Sequence, residues 1–197
     1  MKIIAATSNA GKIREIKKIF SSSVFEIISM KEAGIDIEIE ENGTTFEENA
    51  LIKARTISKL SGCAVLSDDS GLCVDALGGA PGVYSARYAG EDATDEERMI
   101  KLLSELSGVE DRCAKFVSVV AFITKDGREF CATGEVLGKI AHKIMGDGGF
   151  GYDPIFISDE LGKTFGQATQ EEKNSISHRA RALDNLYKTL KNENIID

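Results

Sequence analysis

KIIAATSNAGKIREIKKIF (residues 2–20) passes from a short apolar run through polar turn residues into a segment whose apolar side chains have helical spacing. Ile13, Ile16 and Phe20 fall on one face of that segment when it is drawn as an α-helix. The stretch therefore predicts a β-strand, a tight turn and an amphipathic helix. Because a strand that leads directly into a helix is a building unit of α/β proteins, this stretch sets the expected fold class.

The segments that follow continue the alternation of strands and helices. A second strand is predicted at FEIISM (25–30), and a buried strand at CAVLS (63–67) leads straight into two aspartates. Between them, TTFEENALIKARTISKL (44–60) has an apolar stripe at helical spacing, and Thr45 and Glu48 have the spacing of a capping box. This segment is predicted to be a helix.

The second half of the chain predicts a helix, a β-hairpin and a final helix. TDEERMIKLLSEL (94–106) starts at a capping threonine, and strands at 114–124 and 128–140 flank the turn residues Asp126–Gly127. EEKNSISHR opens one last helix, which is expected to bury Ile176, Ala180, Leu183, Tyr187 and Leu190. We therefore predict a mixed α/β sheet with flanking helices, in a single domain (1–197) whose two lobes surround a cleft.

The composition limits the classes of function. The 197 residues are 42% hydrophobic, which is enough for a sizeable core, and they carry a net charge of −8. This acidic balance argues against a nucleic-acid partner, since proteins that bind polynucleotides usually present a basic face. No apolar run approaches the roughly 18 residues that span a membrane, and we expect a cytoplasmic protein without a membrane partner. Four scattered cysteines and two histidines predict reduced, buried thiols rather than a zinc site.

The turn ATSNAGK (6–12) has the composition of a phosphate-binding helix start. A helix N-terminus presents unpaired amides and a partial positive charge, and Ser8 and Lys12 add hydrogen-bond donors. The turn is not a P-loop, because two positions that the P-loop pattern fixes hold Ala6 and Ile13. These residues alone leave two interpretations open, a phosphate cradle and an ordinary helix cap.

Two acidic segments are candidates for binding a cation. Asp68 and Asp69 are expected to follow the strand at 63–67, at the edge where α/β sheets bind their ligands. Glu40 and Glu41 precede the capped helix. Carboxylates from both segments are suited to a hard divalent cation such as Mg²⁺. The alternative is an Asx turn at the aspartates and a solvated run of glutamates.

Two further segments are candidates for recognising a flat, anionic ligand. The glycines of GGFGYDP (148–154) let the backbone approach such a ligand closely, and Phe150 is placed to stack on a base or to fill the core. His178 lies away from the apolar stripe of the last helix and Arg179 lies on its flank, so neither is expected in the core, and a solvated helix start is the alternative to a ligand contact. Lys53 lies on the flank of its helix and is a weaker cationic candidate, since a lysine at such a position is more often at the surface.

Five motifs of this chain together resemble the inosine triphosphate pyrophosphatase family. They are TSNAGK (7–12), TTFEENALIKA (44–54), DDSGLCVDALGGAPGVYSARYAG (68–90), GGFGYDPIF (148–156) and EEKNSISHRARAL (171–183). The resemblance implies an elongated α/β fold with two lobes around a deep cleft, and a homodimer. The implied activity is Mg²⁺-dependent hydrolysis of non-standard purine nucleoside triphosphates (ITP, dITP and XTP), which yields a nucleoside monophosphate and pyrophosphate.

The resemblance also implies roles for individual residues. Asp69 would accept a proton and bind the metal, and Glu40 would be the second metal ligand, with Glu41 as its alternative. Substrate contacts are implied for Thr7, Ser8, Asn9, Ala10, Gly11, Lys12, Ser70, Phe150, Gly151, Tyr152, Asp153, Lys173, His178 and Arg179. Among these, Arg179 would donate to the C6 oxygen of inosine or xanthosine, where adenine carries an amino group instead.

Overall fold

The computed structural model describes residues 1–20 and 25–196. Its strands are β1 (Lys2–Ala5), β2 (Glu26–Ser29), β3 (Ala64–Val74), β4 (Cys113–Ile123), β5 (Glu129–Ile140) and β6 (Phe156–Ser158). Its α-helices are α1 (Ala10–Ile19), α2 (Phe46–Ser61), α3 (Asp95–Glu105), α4 (Gln170–Ile176) and α5 (His178–Asn192). Short 3₁₀ helices cover Asp75–Leu77, Gly82–Arg87 and Asp153–Ile155. Within the described ranges, no helix has the length and apolar character that crossing a membrane requires.

The strands form one sheet in the order β2-β1-β3-β4-β5-β6. Strand β1 runs parallel to both β2 and β3, whereas β5 and β6 are antiparallel, so the sheet is mixed. The predicted turn joins β4 to its neighbour β5, and Gly127 takes a positive φ of 88° there. The α/β class, the mixed sheet and the flanking helices are confirmed.

The chain divides into two compact units. Unit 1 comprises Met1–Asp69, Ser118–Gly134 and Arg179–Asp197, and unit 2 comprises Ser70–Val117 and Glu135–His178. Strands β3, β4 and β5 therefore each contribute residues to both units. The single domain with two lobes around a cleft stays a prediction.

Unit 1 has a three-layer core that follows from the alternation of side chains along β3. Leu66 packs in one apolar cluster with Ile16 of α1 and Leu183 of α5. Val65, which points to the other face of the sheet, packs with Ala54 and Ile57 of α2. Helices α1 and α5 thus cover one face of the sheet in unit 1, and α2 covers the opposite face.

Unit 2 has its own apolar core. Met99 and Leu102 of α3 pack with Leu72 of β3 and with an aromatic group that includes Phe116 and Phe156. The ring centroids of Phe116 and Phe156 are 4.6 Å apart. Unit 2 can therefore hold its loops against a core independent of the one in unit 1.

Side-chain caps start α2 and α3 at the positions that the sequence predicts. Thr45 and Glu48 form a capping box at α2, and Thr94 forms one with Glu97 at α3. The same reciprocal pattern starts α4 at Thr169. Because a cap of this kind satisfies amides that the helix leaves unpaired, it defines the first turn locally.

Two predicted elements have different bounds in the structure. The strand predicted to end at Ser67 continues to Val74, so Asp68 and Asp69 lie within β3 rather than after it. The prediction of a single last helix is wrong. Helix α4 ends at Ile176 and α5 begins at His178, because Ser177 between them has an extended backbone (φ −62°, ψ 154°).

The break between α4 and α5 also shifts the buried stripe of the last helix. Leu183 and Leu190 are buried as predicted, but Ala182 and Leu186 are buried with them. Ile176, Ala180 and Tyr187, which were also predicted to be buried, are only half-buried. The four cysteines are free thiols, as predicted. The expectation that all four are buried is wrong, since Cys63 and Cys113 are exposed.

Candidate active site

The two aspartates of β3 extend past the end of the parallel strand beside them. Strand β1 ends at Ala5, which is in register with Leu66, and the backbone amide of Ala6 donates to the Leu66 carbonyl at 2.8 Å. The chain after β1 then turns into α1, so Asp68 lies next to the start of that helix. The aspartates are therefore at the carboxyl edge of the parallel strands even though they belong to β3.

Asp68 is a fully buried acceptor for several donors. Its Oδ2 lies 2.8 Å from Lys12 Nζ and 3.1 Å from Nη2 of Arg179, and its Oδ1 accepts a hydrogen bond from the Ser118 hydroxyl. Burial raises the pKa of Asp68, but the two cations and the hydrogen bonds outweigh burial and hold its pKa well below the usual range. Asp68 is therefore ionised and fully engaged.

Arg179 connects Asp68 to helix α1. Its Nη1 pairs with Glu15, which is 3% exposed, and the arginine itself is 1% exposed. The expectation that Arg179 lies outside the core is wrong, because two buried carboxylates compensate its charge there. In this arrangement, an oxygen of a nucleobase would have to compete with Glu15 and Asp68 for the guanidinium.

Asp69 belongs to a second group of charges, on the face of the sheet that α2 covers. Lys53 of α2 donates to Asp69 Oδ1 at 3.0 Å and to Glu41 Oε2 at 2.7 Å. The expectation that Lys53 lies at the surface is wrong, since it is 6% exposed. Burial lowers the pKa of Lys53, but Asp69 and Glu41 raise it by more, so the side chain stays charged.

The Asp69 carboxylate has the properties of a proton acceptor. Burial raises the pKa of Asp69, and Lys53 and Lys12 only partly oppose that rise. Its Oδ2 is buried and has no hydrogen-bond partner in the described part of the chain. A carboxylate with one oxygen fixed by an ammonium and the other unengaged can hold a water molecule or a cation.

The same group of charges fits a divalent cation. One ammonium faces two carboxylates, which leaves an excess of negative charge beside the unengaged oxygen of Asp69. Among residues 1–20 and 25–196, no three Asp, Glu, His or Cys side chains are grouped to enclose a metal. Mg²⁺ does not need such a group, since it commonly binds through one or two carboxylates and takes its other ligands from water and phosphate.

The two glutamates that the sequence left as alternatives differ in their surroundings. Glu41 is half-buried and shares the Lys53 ammonium with Asp69, whereas Glu40 is exposed. The contacts therefore favour Glu41 as the partner of Asp69.

The turn before α1 forms the predicted helix cap. The Oδ1 of Asn9 accepts a hydrogen bond from the Lys12 amide at 3.0 Å, and Thr7 Oγ1 accepts one from the Asn9 amide at 3.2 Å. Ser8, Asn9 and Ala10 are exposed, Thr7 and Lys12 are half-buried, and Gly11 is buried. Because residues at the start of this ten-residue helix are exposed, an anion could reach its first amides, and phosphate binding by this turn stays a prediction.

In unit 2, the glycine-rich loop is held by a buried ion pair. Lys173 of α4 lies 2.5 Å from Asp153 Oδ2, and each of the two residues is 2% exposed. The same Asp153 oxygen accepts a hydrogen bond from the Phe150 amide at 2.9 Å. The Lys173 ammonium also lies 4.6 Å from the centre of the half-buried Phe150 ring. Phe150 and Lys173 thus contact each other and share Asp153 as a partner.

Other residues of unit 2 that were predicted to contact the substrate are engaged within the protein. The Tyr152 ring belongs to the core of unit 2, and its hydroxyl donates to the Ser85 carbonyl at 2.9 Å. The Gly151 amide donates to Asp95 at 2.6 Å. Gly149 has a φ of +76°, and a β-carbon there would lie 2.0 Å from the Asp153 carboxylate. The sequence of this loop is therefore set by close packing as well as by any ligand.

His178 and Ser70 complete the residues predicted for unit 2. His178 is 4% exposed, so the expectation that it lies outside the core is wrong. Its ring stacks on Phe116 with the centroids 4.8 Å apart and the planes 15° apart. Ser70 is half-buried in β3, directly after Asp69.

Sequence reasoning missed Glu15 and Ser118 and underestimated Lys53. Glu15 follows Lys12 by three positions and so lies on the same side of α1, which is a usable signal for a shared partner. Ser118 gives no such signal, because a serine in an apolar strand has many roles. For Lys53, the signal is its spacing of three residues from Ala50 and four from Ile57, both of which lie on the buried side of α2.

Comparisons with known proteins show which family this chain resembles along its length. The Ham1 family model matches residues 3–189. The dITP/XTP pyrophosphatase of Clostridium perfringens (strain 13 / Type A) is 48% identical over 96% of this chain and 97% of that protein. The protein of the same name from Escherichia coli O157:H7 is 47% identical over 97% of this chain and 98% of its own length.

A solved structure is also similar to this chain over nearly its whole length. The Ham1 protein of Staphylococcus aureus superimposes with a TM-score of 0.87 at 44% identity, covering 98% of this chain and 100% of that chain. Since the family model and these relatives extend over nearly all of the sequence, the chain belongs to the Ham1 family.

Proposed function

We propose that this protein hydrolyses non-standard purine nucleoside triphosphates, namely ITP, dITP and XTP, to the nucleoside monophosphate and pyrophosphate. Two kinds of observation support the proposal. The curated relatives named dITP/XTP pyrophosphatase are 45–48% identical along nearly their whole length. The structure also contains a buried carboxylate, that of Asp69, with one oxygen that has no hydrogen-bond partner in the described chain, and a helix start suited to phosphates. Such an enzyme would remove these nucleotides from the cytoplasmic pool.

The observation that carries the chemistry is the state of Asp69. Lys53 fixes one of its oxygens, the other has no hydrogen-bond partner in the described chain, and burial raises its pKa. In the proposed reaction, Asp69 accepts a proton from the water that attacks the α-phosphorus. The bond from the α-phosphorus to the bridging oxygen breaks, and pyrophosphate leaves with that oxygen.

We propose that Mg²⁺ is the cofactor, held by Asp69 together with one of the two neighbouring glutamates. Glu41 is the better candidate on its contacts, and Glu40 is the alternative that the resemblance implies. A divalent cation at these carboxylates would supply neutralisation of phosphate charge and a more acidic water.

The phosphates are proposed to bind at the turn before α1. Residues 7–12 present the first amides of the helix, whose partial positive charge favours anions. Asp68 fixes the Lys12 ammonium, and Lys12 retains a side-chain exposure of 14%. Lys12 is therefore held in a defined position, from which it stabilises charge that develops on the leaving pyrophosphate.

The base is proposed to contact the Phe150 and Lys173 pair, His178 and the backbone of the glycine-rich loop. The C6 oxygen of hypoxanthine or xanthine accepts hydrogen bonds, whereas the 6-amino group of adenine donates them. A purely donating cation near C6 therefore disfavours adenine by about 1–3 kcal/mol, because one donor remains unpaired. Lys173 and Arg179 both have this character, and the base would compete with Asp153 for Lys173 and with Glu15 and Asp68 for Arg179.

A panel of triphosphates tests the proposal. The purified protein is incubated with Mg²⁺ and equal concentrations of ITP, dITP, XTP, ATP, GTP and dTTP, and pyrophosphate and orthophosphate are measured separately. We expect rapid release of pyrophosphate from the first three nucleotides. Release of orthophosphate would refute the assigned bond, and equal rates with ATP would refute the assigned specificity. Tight, salt-sensitive binding of DNA or RNA without hydrolysis would instead indicate a nucleic-acid-binding protein.

We further propose a homodimer, on the basis of the family resemblance. Light scattering coupled to size-exclusion chromatography measures the mass directly. A mass close to 21.3 kDa, that of one chain, would contradict this proposal.

A further inference from the structure

Lys53 is the buried cation that the reaction described above does not use. It lies on the inner side of α2, and its ammonium contacts Glu41 at 2.7 Å and Asp69 at 3.0 Å. With 6% of its surface exposed, the side chain is as inaccessible as many apolar core residues. Lysine is rarely buried to this extent unless its charge is paired, so a specific role is expected.

The charges around Lys53 do not balance within this group. Asp69 and Glu41 each contribute a negative charge, and Lys53 contributes one positive charge. If Lys53 were absent, the two carboxylates would repel each other at a site where water screens them poorly. Its ammonium therefore holds together two groups that would otherwise separate.

We propose that Lys53 is a positioning residue that acts as a stand-in cation. It keeps Glu41 and Asp69 close together and partly neutralised until a divalent cation binds to them. The inference rests on the proposed function, because it takes these carboxylates as the metal-binding pair. It adds that, in the metal-free state, the Lys53 ammonium neutralises part of the charge of the two carboxylates. A bound divalent cation then takes over part of this neutralisation.

The inference predicts an opposite effect of Lys53 on the metal-free and the metal-bound protein. Replacing Lys53 with the uncharged Met leaves two unbalanced carboxylates, so the metal-free protein loses stability. The same two carboxylates then attract a divalent cation without an opposing ammonium. A residue that only filled space or formed a structural ion pair would lower the stability of both states equally.

The experiment measures thermal unfolding with MgCl₂ alone, without nucleotide, at constant ionic strength. The variants are Lys53→Met, the charge-conserving Lys53→Arg, and Arg55→Met as a matched control. Arg55 is on the same helix and pairs with Glu129, but that pair is exposed. The melting temperature of each protein is followed from zero to millimolar Mg²⁺, which gives an apparent Kd for the cation.

In the absence of Mg²⁺, we expect Lys53→Met to melt at a lower temperature than the wild type. Added Mg²⁺ should raise the melting temperature of Lys53→Met by more than that of the wild type. Its apparent Kd for Mg²⁺ should fall by roughly tenfold, which corresponds to about 1.4 kcal/mol of removed repulsion. Lys53→Arg and Arg55→Met should keep the wild-type response to Mg²⁺. An equal response in all four proteins, a zero response included, would overturn the proposal.

A second variant keeps the test decisive if Lys53→Met does not fold. The double variant Glu41→Gln with Lys53→Met removes one carboxylate together with the ammonium, so less charge is left unbalanced. We expect this double variant to fold and to recover stability relative to Lys53→Met. Failure of the double variant to recover would show that Lys53 is needed for packing and not for charge.

These measurements are independent of the proposed activity. A protein that shows the expected Mg²⁺ responses but hydrolyses none of the triphosphates would retain the role of Lys53 and lose the proposed function. A protein that releases pyrophosphate from ITP but shows equal Mg²⁺ responses would retain the function and lose the role of Lys53.

Discussion

Asp68 and Asp69 are adjacent in β3 but pair with cations from opposite faces of the sheet. Asp68 binds Lys12 and Arg179, which belong to α1 and α5, whereas Asp69 binds Lys53 of α2. Successive side chains of a strand point to opposite faces of the sheet, so these two neighbouring carboxylates lie on opposite faces. Asp68 is fully enclosed by its partners, whereas Asp69 has one oxygen without a hydrogen-bond partner in the described part of the chain.

Replacing Asp69 by Asn should abolish turnover while substrate binding persists. Asn cannot accept the proton of the attacking water, so we expect kcat with ITP to fall by a factor on the order of 100 to 10,000. Steady-state kinetics give the rate, and binding of a non-hydrolysable ITP analogue, measured by calorimetry, gives the affinity. A kcat close to that of the wild type would remove Asp69 from the mechanism.

Replacing Asp68 by Asn should act chiefly on stability. The substitution leaves Lys12 and Arg179 without their shared buried carboxylate, and breaking a buried pair in this way costs about 3–5 kcal/mol. Urea unfolding followed by circular dichroism measures the free energy of unfolding. Asp69→Asn serves as the comparison, and an equal loss in the two variants would contradict the division of roles.

Replacing Glu40 or Glu41 by Gln should separate the two candidates for the second metal ligand. We expect Glu41→Gln to raise the Mg²⁺ concentration for half-maximal activity by roughly tenfold or more, because one of two carboxylates is lost. Glu40→Gln should change this concentration little, since Glu40 is exposed. The reverse order would assign the role to Glu40.

Replacing Glu32 by Gln should remove a pH-dependent contribution to stability. The Lys17 ammonium, 2.8 Å away, and the Ser29 amide and hydroxyl lower the pKa of Glu32 from 4.5 to about 2. A carboxylate whose pKa is lowered on folding stabilises the protein above its unfolded pKa, and this contribution is lost as the pH falls toward the folded pKa.

The prediction for Glu32 is read from melting temperatures between pH 7 and 2. We expect the wild type to exceed Glu32→Gln above about pH 5, and the difference to vanish as the pH approaches 2, where both states bind the proton. A difference that stays constant over this range would show that the side chain acts through packing and not through charge.

The fold was largely predictable because its signals are local. The capping boxes at Thr45 and Thr94 depend on residues only three positions apart, and the stripe of α2 depends on the helical repeat. The break at Ser177 was not predictable in this way, because the apolar spacing continues on both sides of it. The continuation of β3 through Asp68 and Asp69 was missed because charged residues usually mark the end of a buried strand.

The candidate site was predictable in its residue types but not in its pairings. The motifs identify Asp69, Lys12 and Arg179, but a motif does not state which charges meet. Burial of Arg179 depends on Glu15, which is far from it in the sequence and reaches it only through the packing of α1 against α5. Long-range compensation of this kind decides which cations remain accessible, and it becomes visible only in three dimensions.

The order of protein synthesis determines when the contacts of Asp68 can form. Unit 1 draws on three separate stretches of chain, and Asp68 takes partners from each of them, namely Lys12, Ser118 and Arg179. A ribosome releases these partners in that order. Every residue of unit 2 has therefore been synthesised before Arg179 appears. Asp68 can form its ion pair with the Arg179 guanidinium only late in translation.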